Sequence, residues 1–276
     1  MLPTMIGSAT RLVAIIGTPI AQVKSPQNFN AYFDAARHDR AMIPVDLRSE
    51  QVEDFVNAVR GWENLDGFVV TVPHKTAIAR LIDDMTPRAQ FLGAANVVRR
   101  HAGGWLSGDM TDGEGFLLAL RENDFSVEGK SALLVGAGGA GRAIGHALAE
   151  AGLSDLFVSD IDTARAATLS SQLGEAFPHV VFDAGAIPDR AFDLVVNASP
   201  CGMGDADPLP VPQAVIDLIP PDGLAADVVT SPERTRFLAL AAHRGLKIQF
   251  GHEMARAQLT ALGRAMGVIG ETQSHG

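Results

Sequence analysis

The run Ser131-Ala132-Leu133-Leu134-Val135 is apolar enough for a buried strand, and it leads straight into Gly136-Ala137-Gly138-Gly139-Ala140-Gly141. A helix-forming stretch opens directly behind it. The first glycine of such a turn permits a tight bend, the second lets backbone approach a ligand, and the third lets the helix pack on the strand. A helix entered this way offers unpaired N–H groups and the positive end of its dipole, which suits a pyrophosphate. Spacing alone would also allow a turn that binds nothing. The strand before it and the helix after it favour a dinucleotide site. The next strand, Asp155–Ser159, leads into Asp160 at the expected distance of about 20 residues from the glycines. A carboxylate there accepts hydrogen bonds from ribose hydroxyls and repels a 2′-phosphate. Asp160 and Asp162 precede the first cation, Arg165, so NAD is favoured over NADP, with Arg165 the residue that would favour NADP.

Strand-like and helix-like segments alternate on both sides of this turn. Leu12–Gly17, Ala41–Leu47 and Gly67–Val72 read as strands. Ser25–His38, with Pro26 in its first turn, Ser49–Val59, with Ser49 as its cap, and His74–Ile82 read as helices. Two short β-like runs flank His101-Ala102-Gly103-Gly104 within Ala95–Met110, which predicts a hairpin. Gly113–Glu122 is helical, and the polar stretch Asn123–Lys130 is the cleanest break. Beyond it come helix Gly139–Ala151, helix Thr163–Leu173, β-like runs Phe192–Asn197 and Leu224–Val229, and a last helix, His252–Val268. Strands separated by helices predict an α/β fold with parallel pairing. The Gly-, Asp- and Pro-rich loop Gly202–Pro212 is a candidate flap.

Composition closes off several classes. The 276 residues carry a net charge of −10 with no compensating basic cluster, which disfavours nucleic acid and anionic membrane surfaces. Cys201 is the single cysteine, so no internal disulfide forms. The eight histidines show no metal-ligand spacing, and no metal is expected. The opening Met1-Leu2-Pro3-Thr4 lacks the pattern of a signal peptide, no apolar run is long enough for a membrane helix, and a cytoplasmic location is expected. His74, His252 and Glu253 read as helix-start residues, and Asp205 and Asp207 as loop solvation.

Further motifs, in order along the chain, resemble the shikimate/quinate dehydrogenase family. Gly17-Thr18-Pro19-Ile20 with Ser25-Pro26 is similar to its substrate loop, and Val70-Thr71-Val72-Pro73-His74-Lys75 to its catalytic-lysine motif. Ala94-Ala95-Asn96-Val97 and Gly108-Asp109-Met110-Thr111-Asp112-Gly113-Glu114-Gly115 are similar to the two that follow. Asn197-Ala198-Ser199-Pro200-Cys201-Gly202-Met203 resembles the loop that closes over the nicotinamide, and Gly251–Gln258 the start of the last helix. The resemblance implies a substrate-binding catalytic domain over residues 1–112, completed by a returning helix at 252–276. It implies a Rossmann-type dinucleotide-binding domain over 113–251. It implies an NAD(P)-dependent dehydrogenase moving hydride between nicotinamide and a ring hydroxyl or ketone of shikimate, quinate or a close analogue. Its partner would be a small cyclohexane or cyclohexene carboxylic acid, and the chain would act as a monomer or homodimer.

By the same resemblance Lys75 and Asp112 act at the reacting hydroxyl. Ser25, Thr71, Asn96 and Gln258 bind substrate. Gly136, Ala137, Gly138, Gly139, Ala140, Asp160, Met203, Val228 and Gly251 bind the cofactor. An ordinary lysine, with a pKa of about 10.4, is a poor base at neutral pH, and a nearby carboxylate would titrate with it as a pair. Structural readings stand beside these. Lys75 sits in a helix's first turn, Asp112 and Ser25 are in capping positions, and Thr71 and Asn96 suit turns. The sequence departs from the family pattern at Val23, Val70, Met110 and Thr230, where polar groups are expected on the substrate side. A pocket that loses hydrogen-bond donors discriminates differently, with Gln22 or Lys24 as candidate replacements. The competing expectation is a catalytically retired sensor of the same fold that binds dinucleotide or metabolite, although such a sensor needs neither Lys75 nor Asp112.

Overall fold

The computed structural model describes residues 6–21, 23–204 and 208–270; Gln22, Asp205 and Asp207 lie outside the described residues. The chain divides into two compact units, Met1–Thr111 with Leu259–Gly276, and Asp112–Gln258.

In the first unit, β1 (Arg11–Gly17), α1 (Ser25–Ala35), β2 (Arg40–Asp46), α2 (Val52–Arg60) and β3 (Leu65–Val70) form the alternating half. Then come α3 (Lys75–Ala79), β4 (Asp84–Met85), α4 (Pro87–Leu92), β5 (Val97–Arg100) and β6 (Leu106–Asp109). The six-stranded sheet has the order β2-β1-β3-β5-β6-β4. β1 is parallel to both neighbours, and β5 runs antiparallel between β3 and β6. Side chains alternate across a strand, and the sheet uses both faces. Ala14, Ile16, Phe68 and Val70 pack with Val52, Val56 and Val59 of α2 on one face. Val13, Ile15 and Val69 pack with Phe29, Phe33, Leu262 and Met266 on the other. A strand covered on both sides must be apolar throughout, which is why β1 reads as an unbroken run.

In the second unit, α5 (Asp112–Glu122) leads through a polar connection into β7 (Ser131–Val135), α6 (Gly139–Glu150), β8 (Asp155–Ser159), α7 (Thr163–Ala176) and β9 (Val181–Ala184). The chain then crosses to β10 (Leu194–Asn197), α8 (Gln213–Leu218), β11 (Leu224–Asp227), α9 (Arg236–His243), β12 (Lys247–Gln249) and α10 (Gly251–Met266). The sheet is parallel throughout, in the order β12-β11-β10-β7-β8-β9. The order reverses between β7 and β10. In open parallel sheets ligands bind at that switch point, outside the carboxyl ends of the strands.

The expected strands before and after the glycine turn are present, and His101–Gly104 does join an antiparallel pair, β5 and β6. Three expectations change. Ser49 does not cap a helix: Ser49–Gln51 is a 3-10 turn, with Arg48 preceding it and no side-chain cap. The polar stretch Asn123–Lys130 lies inside the second unit, joining α5 to β7. The last helix begins at Gly251, and the contact division falls within it, after Gln258. Among the described residues no helix is long and apolar enough to cross a membrane.

Phe68 is fully buried and meets Phe55 edge-on, with ring centroids 5.3 Å apart and planes at 86°. Phe68→Ala should destabilise the chain by about 3–5 kcal/mol, read as a lower urea midpoint. An unchanged midpoint would show that the first unit's core tolerates the cavity.

Candidate active site

Gly136 closes β7 with φ +102, and a Cβ there would meet the backbone of Ala198 and Ser199 at 2.9 Å. A Cβ on Gly141 would overlap the carbonyl oxygen of Gly136. Gly138 and Gly139 differ, because a Cβ on either would point into open space. The first and last glycines are demanded by the chain's own packing, and the middle pair present bare backbone outward. Gly138 precedes α6 in extended conformation with no side-chain cap, and the helix's first turn holds no acid. Ala140 is in that first turn, and Ala137 is buried in the bend. Uncapped N–H groups at a glycine-lined helix start fit a pyrophosphate, so the residues present fit a dinucleotide.

Asp160 follows β8. Its Oδ2 accepts the Ala137 N–H at 2.7 Å and its Oδ1 accepts the Asp162 N–H at 2.9 Å. The carboxylate therefore ties the end of β8 to the glycine turn. Each oxygen keeps a second lone pair for a ribose hydroxyl. Ile161 is fully exposed directly after it, and Arg165 lies 3.7 Å from Asp162 in an exposed ion pair. On the other side of β7, the residues after β10 and β11 form two adjoining loops. Met203 is exposed in the first, with its N–H donated to the Pro200 carbonyl at 3.0 Å. Val228, in the second, donates to the Asn197 carbonyl at 3.0 Å. Gly251 starts α10 so close to this loop that a Cβ would collide with the Val228 and Val229 carbonyls.

Asp112 is the first residue of α5 and is buried. Gln258 Nε2 donates to its Oδ1 at 3.0 Å. Two glycines permit this seat. A side chain on Gly113 would overlap α6 at Ala143 and Ala147, and one on Gly115 would overlap Gln258 of α10. Gln258 thus bonds the predicted catalytic carboxylate in this structure.

In the first unit, Thr71, Asn96 and Met110 follow or precede the strands along one edge of the sheet. Thr71 closes β3, donating its N–H to the Ile16 carbonyl at 2.9 Å. His74 is buried, and its Nε2 lies 2.7 Å from the Leu47 carbonyl. A carbonyl can only accept, so that nitrogen carries the proton. His74 anchors the start of α3, the helix-start place that the sequence indicates. Lys75 is the first residue of α3 and is half-buried, and its carbonyl accepts the Ala95 N–H at 3.0 Å. Asn96 is buried and engages Thr111: Oδ1 accepts the Thr111 N–H at 2.9 Å, and Nδ2 lies 3.2 Å from the Thr111 hydroxyl. Ser25 is not a cap. It is the first helical residue of α1, with Lys24 in the capping position.

The four departures do not share one environment. Val70 is buried in the sheet core with Ile16 and Phe68, so it is a packing residue and not part of a pocket wall. Met110 is buried, Val23 is half-buried against the cluster of Ile15 and Phe29, and Thr230 is exposed in the second unit.

Arg88 and Asp109 escaped the sequence reading because they stand 21 residues apart with no local signal. Arg88 grips Asp109 with two donors, Nε at 2.7 Å and Nη2 at 2.6 Å, and the Thr86 hydroxyl donates at 2.5 Å. Burial works to raise the Asp109 pKa. Arg88, Thr86 and the Met110 N–H together outweigh it and hold the carboxyl below the usual carboxylate range. This clamp fixes the segment that runs through Met110 into Thr111.

Residues 15–98 match the model of the shikimate dehydrogenase substrate binding domain. Over 242 residues the chain is 38% identical to the shikimate dehydrogenase (NADP(+)) of Rubrobacter xylanophilus, covering 87% of this chain and 84% of that one. Among solved structures it resembles the 5-ketofructose reductase of Gluconobacter sp. strain CHM43, at 29% identity and TM-score 0.86, covering 94% of this chain and 93% of that one. It also resembles the shikimate 5-dehydrogenase of Listeria monocytogenes in complex with shikimate and NAD, at 26% identity and TM-score 0.86, covering 95% and 92%. With these relatives, the chain is an oxidoreductase that acts on a CH–OH group with a nicotinamide dinucleotide. The chain belongs to the shikimate dehydrogenase family.

A carboxyl whose folded pKa is depressed stabilises the fold above its unfolded value, about 3.9, and that contribution is lost as pH falls through the folded value. Arg88→Met removes the main donor, so acid unfolding followed by circular dichroism should begin at higher pH than in the wild type. An unmoved acid midpoint would show that Asp109 is held by its other donors.

Proposed function

We propose that the protein transfers hydride between NAD and a ring hydroxyl or ketone of shikimate, quinate or a close analogue, with Lys75 and Asp112 serving the reacting oxygen. Residues 1–112 with the returning helix would supply the substrate contacts, and residues 113–251 would hold the dinucleotide. The single observation that carries this reading is the glycine turn with Asp160 fastened to it, at the switch point of a parallel sheet.

Bound nicotinamide would supply the hydride acceptor, or the donor in the reverse direction. Everything else falls to the chain. Oxidation of a carbinol also releases the hydroxyl proton, and Lys75 is the group that would take it. Asp112, oriented by Gln258, is the acceptor that would hold the hydroxyl or the resulting ammonium. Ser25, Thr71 and Asn96 would orient the ring. Lys75→Ala and Asp112→Asn should each lower kcat by about 100-fold or more, with dinucleotide affinity preserved. This is measured as absorbance at 340 nm with shikimate and quinate. Retention of activity in the double variant would end the catalytic assignment.

The choice of NAD is supported by Asp160 and by the fully exposed Ile161, which stands where a cation would meet a 2′-phosphate. Arg165 is engaged with Asp162. The wild type should favour NAD in kcat/KM. Ile161→Arg with Asp160→Ser should shift the ratio toward NADP by about tenfold or more. A wild type that favours NADP would overturn the Asp160 argument.

One observation favours a second reading of the substrate. Val23 and Met110 stand apolar where polar groups are expected, and the 5-ketofructose reductase shares the fold. A polyol or ketose without a carboxylate is the corresponding substrate. Reduction of 5-ketofructose exceeding oxidation of shikimate and quinate would select it.

A further inference from the structure

At the carboxyl edge of the second unit's sheet lies a polar network that no strand ladder requires. Asn197 ends β10 and Asp227 ends β11, opposite each other in register, and both are buried. Asn197 Nδ2 donates to Asp227 Oδ1 at 3.0 Å and to the Cys201 carbonyl at 2.9 Å. Its Oδ1 accepts the N–H of Ser199 at 3.1 Å and the hydroxyl of Ser199 at 2.6 Å. Ser199 Oγ in turn accepts the Cys201 N–H at 3.2 Å. Asp227 Oδ1 also accepts the Val229 N–H at 3.0 Å, and its Oδ2 accepts the Thr235 hydroxyl at 2.7 Å. Thr235 then caps α9 by accepting the Leu238 N–H. One amide and one carboxylate thus set the path of two loops.

A buried carboxylate is costly unless its lone pairs are filled, and an apolar pair could have closed the same strand ends. What the network secures instead is loop position. The backbone of Ala198 and Ser199 abuts Gly136, and the carbonyls of Val228 and Val229 abut Gly251. Both loops lie on the β10–β11 side of the switch point. Asp160, which would meet the adenosine ribose, lies on the β8 side. A dinucleotide spans that crevice, so the two loops border its nicotinamide half.

We infer that Asn197 and Asp227 are positioning residues for the nicotinamide half of the cofactor, acting through the loops 198–203 and 228–230 without touching the reacting atoms. This rests on the dinucleotide reading above. It predicts a split between the two halves of the ligand that a merely structural role would not produce.

The test is Asn197→Ala in the full chain, with ADP and NADH binding measured by calorimetry and by NADH fluorescence. ADP, which reaches only the adenosine half, should bind within about twofold of wild type, and NADH should weaken by about tenfold as the freed loop disorders its half of the site. With whichever substrate the wild type turns over, kcat should fall by about 100-fold, as misplacement of a reacting group does. The deuterium isotope effect on hydride transfer should rise toward its full value. If Asn197→Ala does not fold, Ser199→Ala, which removes one hydroxyl from a half-buried loop residue, decides by the same ratio of ADP to NADH affinity. Variants that hold NADH as tightly as wild type, or that lose ADP and NADH equally, overturn the inference. A wild type that binds neither ligand would instead defeat the dinucleotide reading on which it stands.

Discussion

At Gly141 the backbone of α6 presses against the carbonyl of Gly136 more closely than any side chain would allow. That approach sets where the helix begins relative to β7. From it follow the uncapped N–H groups at Gly138 and Gly139, the bond from Ala137 to Asp160, and the contact of Ala198 with Gly136. α6 in turn carries α5, because Gly113 lets the two helices meet at Ala143 and Ala147. Asp112 therefore owes its place to the same packing that shapes the phosphate turn. A methyl group at Gly141 would shift both.

In each unit the candidate site residues lie beyond strand ends, where the ladder stops and backbone groups need other partners. In the first unit those partners come from distant parts of the chain. His74 bonds the Leu47 carbonyl, Asn96 holds Thr111, and Arg88 with Thr86 holds Asp109. In the second, Asn197 and Asp227 do the same for two neighbouring loops. These side chains convert irregular backbone into fixed backbone, which functional groups on loops require.

Much of the second unit is legible in the sequence because its strands are apolar runs bounded by turn residues. β7, β8 and the glycine turn are legible to the residue. The short elements β9, β12, α8 and α9 escaped, since a three- or four-residue strand at a sheet's end, or a helix of six to eight residues, has too little periodicity to register. Ser49 illustrates a different limit: a serine ahead of an amphipathic run signals a cap, but the chain enters α2 through a 3-10 turn instead. Val70 shows a third. A motif position suggested a pocket wall, and only the sheet's alternation reveals that its side chain faces the core. The supporting residues, Arg88 and Thr235 among them, were illegible because their partners are distant in the chain or reached only through folded loops.

Residues from opposite ends of the described chain fill one cluster: Val13, Ile15 and Phe33 pack with Leu262, Met266, Val268 and Ile269. The second unit is therefore an insertion within the first. On a ribosome, which delivers the N-terminus first, β1 to β6 emerge with one face of their sheet covered only in part, by Phe29 and Phe33 of α1. Asp112–Gln258 can close its own core while that face waits. The unit begun first is thus the one finished last, and its early strands depend on a nascent chain that has not yet been made.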